Sequence, residues 1–119
     1  MADKLYVVVR ADLDPGPQAV QACHAAREFA HHHPEMEKSW FERSNHLAVL
    51  SVPDEPALLR MIRRAEERGI ACTPFRDPDY GDSVTAIALE PGDRGRRLCS
   101  GLRLALSPAV PSVNAGQAD

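Results

Sequence analysis

The chain has 119 residues, a formal net charge of -3, and 44% apolar and 26% charged residues. That length and balance fit one globular domain with its own core, and they exclude intrinsic disorder, a disulfide-stapled miniprotein and a protein whose bulk charge attracts polyanions. No apolar run reaches the roughly 20 residues that cross a bilayer. Met1-Ala2-Asp3-Lys4 passes directly into a strand pattern with no room for a signal peptide, so a cytoplasmic location is expected.

Leu5 to Val9 is a continuous apolar run rich in β-branched residues, the pattern of a strand buried on both faces. Asp12 to Pro17 is a turn, with Pro17 placed for the first position of a helix. From Gln18 to about His32, Ala19, Val20, Cys23, Ala26, Phe29 and Ala30 recur at helical spacing and predict an amphipathic helix. Pro34 interrupts it. A short helix over Glu35 to Glu42 follows, turning Trp40 or Phe41 inward.

His46 to Val52 predicts a second strand, and Asp54 an N-cap. Leu58, Leu59, Ile62 and Ala65 form the inner stripe of the next helix, which Gly69 closes with Ile70 packing back. Ala71 to Arg76 is a short strand, Pro78 to Gly81 a loop and Ser83 to Leu89 a fourth strand. Leu98, Leu102 and Leu106 mark a last helix. The expected fold is α/β with three layers, a four-stranded mixed sheet carrying helices on both faces. The domain is expected over residues 1–106, with a flexible tail over 107–119.

Cys23, Cys72 and Cys99 are odd in number, far apart and without a CxxC pair, which predicts free, mostly buried thiols in a reducing compartment. His31, His32 and His33 are consecutive and do not share a helix face, so no metal site is expected. The positive charge is nearly all arginine, with Lys4 and Lys38 the only lysines. Arginine forks match phosphate geometry. Arg96 and Arg97, with Arg94 and Arg103 nearby, have fewer neighbouring acids than the Arg60, Arg64, Arg68 stripe and are the better candidates for RNA contact.

Ligands of open α/β sheets gather at the carboxyl ends of strands near helix N-termini, which directs attention to the turn after the first strand. Gln21 lies one helical turn before His24, so the two can share a face. Gln21 could orient a water or a carbonyl, and His24 could move a proton near neutral pH. Asp77 reads either as a turn residue before Pro78 or as an acceptor for an attacking water. Ser83 and Thr85 alternate and are expected on one side of their strand. Asp12 is expected to cap the first helix or brace its loop.

The segment Gly16-Pro17-Gln18-Ala19-Val20-Gln21-Ala22-Cys23-His24-Ala25 resembles the Gly-Lys-x-Ala-Ala-Gln-x-x-His-Ala stretch of the type II peptidyl-tRNA hydrolases. Tyr6-Val7-Val8-Val9-Arg10-Ala11-Asp12-Leu13 is similar to the family's Val-Val-Arg-x-Asp-Leu strand end. Phe75-Arg76-Asp77, Ser83-Val84-Thr85 and Glu90-Pro91 resemble its later stretches, and the matches run collinearly from Lys4 to Leu106.

The resemblance implies hydrolysis of the ester between a peptide and the ribose of tRNA, without metal or cofactor. It implies Gln21, His24, Asp77 and Ser83 as catalytic residues and Asp12, Gly16 and Thr85 as substrate-binding residues, to which the arginine pattern adds Arg96 and Arg97 as candidate contacts to the RNA backbone. A homodimer is the family-level expectation. Two departures stand out. The family's lysine falls on Pro17, and the stretch between Asp77 and Ser83 is short and acidic. They support two alternatives: a non-catalytic relative that binds tRNA, a nucleotide or a protein, and a hydrolase of smaller acyl esters.

Overall fold

The computed structural model describes residues 3–108. The elements are β1 (Lys4–Arg10), α1 (Pro15–His32), α2 (Pro34–Arg43), β2 (His46–Val52), α3 (Glu55–Arg68), β3 (Cys72–Asp77), β4 (Ser83–Leu89), α4 (Asp93–Leu98) and β5 (Arg103–Leu104). A 3-10 turn over Pro78–Tyr80 joins β3 to β4. The sheet order is β3-β4-β1-β2-β5. β1 and β2 are parallel, and β4 runs antiparallel to both β1 and β3. The carboxyl ends of β1 and β3 and the start of β4 therefore share one end of the sheet.

β1 is central because its apolar run has two faces to bury. Leu5, Val7 and Val9 point to one side and pack with Ala22, Ala25 and Phe29 of α1 and Trp40 of α2. Tyr6 and Val8 point to the other, with Leu58, Met61 and Ala65 of α3 and Leu98 of α4. Trp40 is the inward aromatic of α2 and donates from Nε1 to the His46 carbonyl (2.8 Å), while Phe41 is 59% exposed. Asp54 caps α3 by accepting from Ala57 N, and Gly69 closes it at φ 65, a left-handed conformation that glycine adopts without Cβ strain.

The sheet has five strands, not the four expected, and the last helix is shorter than its leucine spacing suggested. α4 ends at Leu98; Gly101 then takes φ 85, and the chain turns back so that Arg103 and Leu104 pair with Ser51 and Leu50. Leu98 and Leu102 do pack against the α3-side core, so their spacing reports burial correctly. It does not report the turn at glycine between them. That side of the sheet is covered by α3 and a six-residue α4 rather than by two full helices. Beyond residue 108, the tail expected from 107 lies outside the described residues.

α1 also differs from its expected form. It begins at Pro15, so Pro17 is its third residue and not its first. Its buried face is Gln18, Gln21, Ala22, Ala25 and Phe29, whereas Val20 is 52% exposed and Cys23 is exposed. A hydrophobicity pattern turns Val20 and Cys23 inward. The structure turns two glutamines inward instead, because each finds hydrogen-bond partners there. Gln18 Nε2 donates to the Leu13 carbonyl (2.6 Å), and Gln21 is held as described below. Cys99 is buried and Cys72 partly so. Burial pushes both thiols up to about 12.

Candidate active site

Two elements build a cleft of about 540 Å³ at the carboxyl end of the sheet. α1 contributes Gly16, Pro17, Val20, Gln21 and His24; β3 and the turn after it contribute Phe75, Asp77, Asp79 and Tyr80. Phe75 and Asp77 lie two residues apart on β3 and so project to the same face.

At its floor runs a short polar chain. Gln21 Nε2 donates to Asp77 Oδ2 (2.8 Å), and Thr85 Oγ1 donates to Gln21 Oε1 (2.6 Å). An ionised carboxylate only accepts, so Asp77 demands the amide nitrogen and leaves the oxygen for Thr85. Thr85 is fully buried and Gln21 nearly so. The second oxygen of Asp77 accepts from Asp79 N (2.9 Å), which anchors the 3-10 turn. Each carboxylate oxygen keeps a further lone pair, and Asp77 is only half-buried. It is the member of the chain that can reach a water. Gln21, nearly fully buried between Thr85 and Asp77, holds that carboxylate in place from below.

Thr85 reaches Gln21 through a β-bulge. The partner of β3 jumps from Ala86, opposite Phe75, to Val84, opposite Arg76, so Thr85 is the extra residue. The bulge puts Val84 in the α3-side core and Ala86 in the α1-side core, so the alternation breaks between those two residues. Bulges re-aim side chains in this way and are frequent beside active sites.

The Ser83 hydroxyl has other partners. It accepts from Arg10 Nη1 (3.0 Å) and donates to the Tyr80 carbonyl (2.7 Å). Arg10 in turn donates to both carboxylate oxygens of Asp12, at 3.0 Å each. That hydrogen bond holds Asp12 below the usual carboxylate range and raises Arg10. Asp12 thus braces the loop and does not cap α1; the N-cap is Asp14, with no side-chain cap bond.

The start of α1 departs from the expected anion site. Pro15 and Pro17 have no N–H, so among the first three helical residues only Gly16 offers an amide. No lysine or arginine lines the cleft, while two carboxylates do. His24 is exposed, and its ring lies parallel to Phe75, with centroids 4.4 Å apart and planes 8° apart.

The structure thus brings together Gly16, Gln21, His24 and Asp77 in the cleft wall, with Thr85 beneath and Ser83 bracing the turn. It does not bring Arg96 and Arg97 there. α4 follows the end of β4, where Leu89 pairs with Tyr6 near the start of β1, and it packs on the α3 side. Both arginines are therefore at the opposite end and face of the sheet. Arg94 clamps the end of α3, donating to the Gly69 and Arg68 carbonyls. Sequence reasoning missed Arg10, Phe75 and Tyr80. For Phe75 the two-residue spacing from Asp77 was a usable signal, and for Arg10 the Val-Val-Arg-x-Asp-Leu likeness was; for Tyr80 there was none.

Among the described residues no three His, Cys, Asp or Glu side chains gather to hold a metal, and no helix is long and apolar enough to cross a membrane.

Comparison with known proteins places this geometry in a lineage. A protein from Agrobacterium tumefaciens strain C58, titled as of unknown function, shares the fold with a TM-score of 0.65 at 15% identity, over 87% of this chain and 98% of its own. A protein of Methanococcus maripaludis named peptidyl-tRNA hydrolase is 30% identical over 95 residues, covering 71% of this chain and 82% of its own. The family described as peptidyl-tRNA hydrolase PTH2 matches residues 3–96, a span that contains α1, Asp77 and Thr85. The chain belongs to the peptidyl-tRNA hydrolase PTH2 family.

Proposed function

We propose that this chain hydrolyses the ester joining a peptidyl or N-blocked aminoacyl group to the 3′ end of tRNA, with Asp77 as the group that holds and activates water. The observation that carries this reading is the buried chain from Thr85 through Gln21 to Asp77, ending on a half-buried carboxylate in an open cleft. A carboxylate fixed this way can take a proton as water attacks the ester carbonyl. The carbon–oxygen bond to ribose then breaks, and the proton leaves with the ribose hydroxyl. The Gly16 N–H is the backbone donor available to the developing oxyanion.

In this mechanism Gln21 and Thr85 position Asp77. Ser83 acts one step further out, with Arg10 and Asp12, by fixing the turn that carries Asp79 and Tyr80. Arg96 and Arg97 are exposed and remote from the cleft, so they are offered to phosphates of the tRNA body rather than to its 3′ end. The reading carries a cytoplasmic location with it. It also carries a homodimer, for which Leu104, 66% exposed on the edge strand, supplies apolar surface. Sedimentation tests the dimer.

A second reading is favoured by Pro15 and Pro17: a relative that binds tRNA through the cleft without turnover, since the helix start has lost two amides and the family's amine. Release of an N-acetylated amino acid from tRNA, followed with chelator present and beside a competent hydrolase, separates the two. Turnover supports the first. Salt-sensitive binding without turnover at high protein concentration supports the second and rejects the first. A Pro17→Lys variant that hydrolyses faster would show that the cleft still accepts the substrate its family relatives act on.

A further inference from the structure

We infer that the parallel His24–Phe75 pair is a stacking platform for the unpaired base at the 3′ end of the RNA, so that His24 binds substrate and moves no proton. This rests on the proposed tRNA substrate. Its own support is geometric. The rings are 4.4 Å apart at 8°, both line the cleft, and Phe75 is half-buried with His24 exposed, so the imidazole is the outer layer of the pair. Among the described residues neither ring nitrogen has a hydrogen-bond partner. A histidine that transfers protons is ordinarily oriented by a partner on its second nitrogen. Here the ring is oriented by the stack instead.

Charge points the same way. The cleft has no lysine or arginine, one free amide at the helix start, and the carboxylates of Asp77 and Asp79. Phosphate attraction, the usual source of affinity for nucleic acid, is not available there. Aromatic faces are, and every base has a face to lay on them. Tyr80 adds a third ring to the lining. Distance fits as well. His24, the outer ring, lies one helical turn beyond Gln21, whose amide holds Asp77 at 2.8 Å. A base on the platform would set its own ribose, which carries the ester, beside Asp77.

The test uses the full chain and a hairpin RNA ending in CCA, with 2-aminopurine as the terminal base. Stacking quenches that fluorophore. The wild-type protein should quench it, His24→Ala should lose the quenching, and His24→Phe should restore it. With an N-acetylaminoacyl ester of the same hairpin, His24→Ala should raise KM on the order of tenfold, with kcat and its pH profile little changed and KM recovered in His24→Phe. Circular dichroism confirms folding, and Tyr80→Ala provides a second variant on the opposite wall. Quenching unaffected by His24→Ala would overturn the inference. So would a His24→Phe variant as impaired as the alanine, an inflection near neutral pH lost from kcat, or a KM that follows the acyl side chain and ignores the base. Quenching without hydrolysis would reject the proposed activity and leave the platform standing.

Discussion

Thr85→Val tests whether the floor of the cleft works as described. The substitution is nearly isosteric at a fully buried position, so it leaves no large cavity. It removes the only donor seen to reach Gln21 Oε1 among the described residues. Leaving one buried acceptor unsatisfied costs about 1–3 kcal/mol. In a domain of this size that is a fall in Tm of about 4 °C for each kcal/mol. Replacing Gln21 by Met as well removes the orphaned acceptor, and the double variant should recover to within about 1 kcal/mol of the wild type, because removing both partners is nearly neutral. Activity should not recover, since Asp77 has still lost its amide clamp. Thermal melts of the three proteins, with hydrolysis measured on each, make the comparison. A Thr85→Val protein as stable and as active as the wild type would refute the hydrogen-bond chain. A double variant that regained turnover would show that Asp77 needs no such clamp.

Other consequences concern the rest of the molecule. Cys72 and Cys99, pushed up to about 12 by burial, should resist iodoacetamide at pH 8 in the folded protein, whereas the exposed Cys23 should react. Mass spectrometry should then count one adduct when native and three when unfolded. Asp12 is held below its ordinary range by Arg10, so the pair stabilises the fold above the unfolded carboxylate pKa of about 3.9, and the contribution is lost as pH falls through the lower folded value. Asp12→Asn should be slightly less stable near neutrality, more so at low salt, with the gap to wild type closing on acidification. A Cβ at Gly95 would sit inside contact distance of the Glu90 carbonyl oxygen. Gly95→Ala should therefore cost about 1–3 kcal/mol, read as a lowered denaturation midpoint.

Much of this architecture is legible in the sequence where one physical rule dominates. β1 is apolar from Leu5 to Val9 because both faces of that stretch are buried; Asp54 and Gly69 bracket α3 because caps demand those residue types. The family likeness marked Gly16, Gln21, His24 and Asp77, which the fold gathers into one cleft. Legibility ended where long-range contacts decide. The inward face of α1 cannot be read from hydrophobicity, because Gln18 is buried against the carbonyl of the preceding loop and Gln21 against Asp77 and Thr85, both distant in sequence. The bulge at Thr85 has no local signature in Ser83-Val84-Thr85 and depends on how β4 registers against β3. β5 hid behind helical leucine spacing until Gly101 redirected the chain.

Asp77 bears the weight of the account, and single-turnover hydrolysis of N-acetylaminoacyl-tRNA by wild-type and Asp77→Asn protein, with chelator present, tests it most directly. Asparagine keeps the size of the side chain and removes its basicity. The prediction is turnover by the wild type and a loss of about 10²–10⁴-fold in the variant, with tRNA binding retained. A variant that cleaves the ester at the wild-type rate would contradict the assignment of Asp77 as the group that activates water.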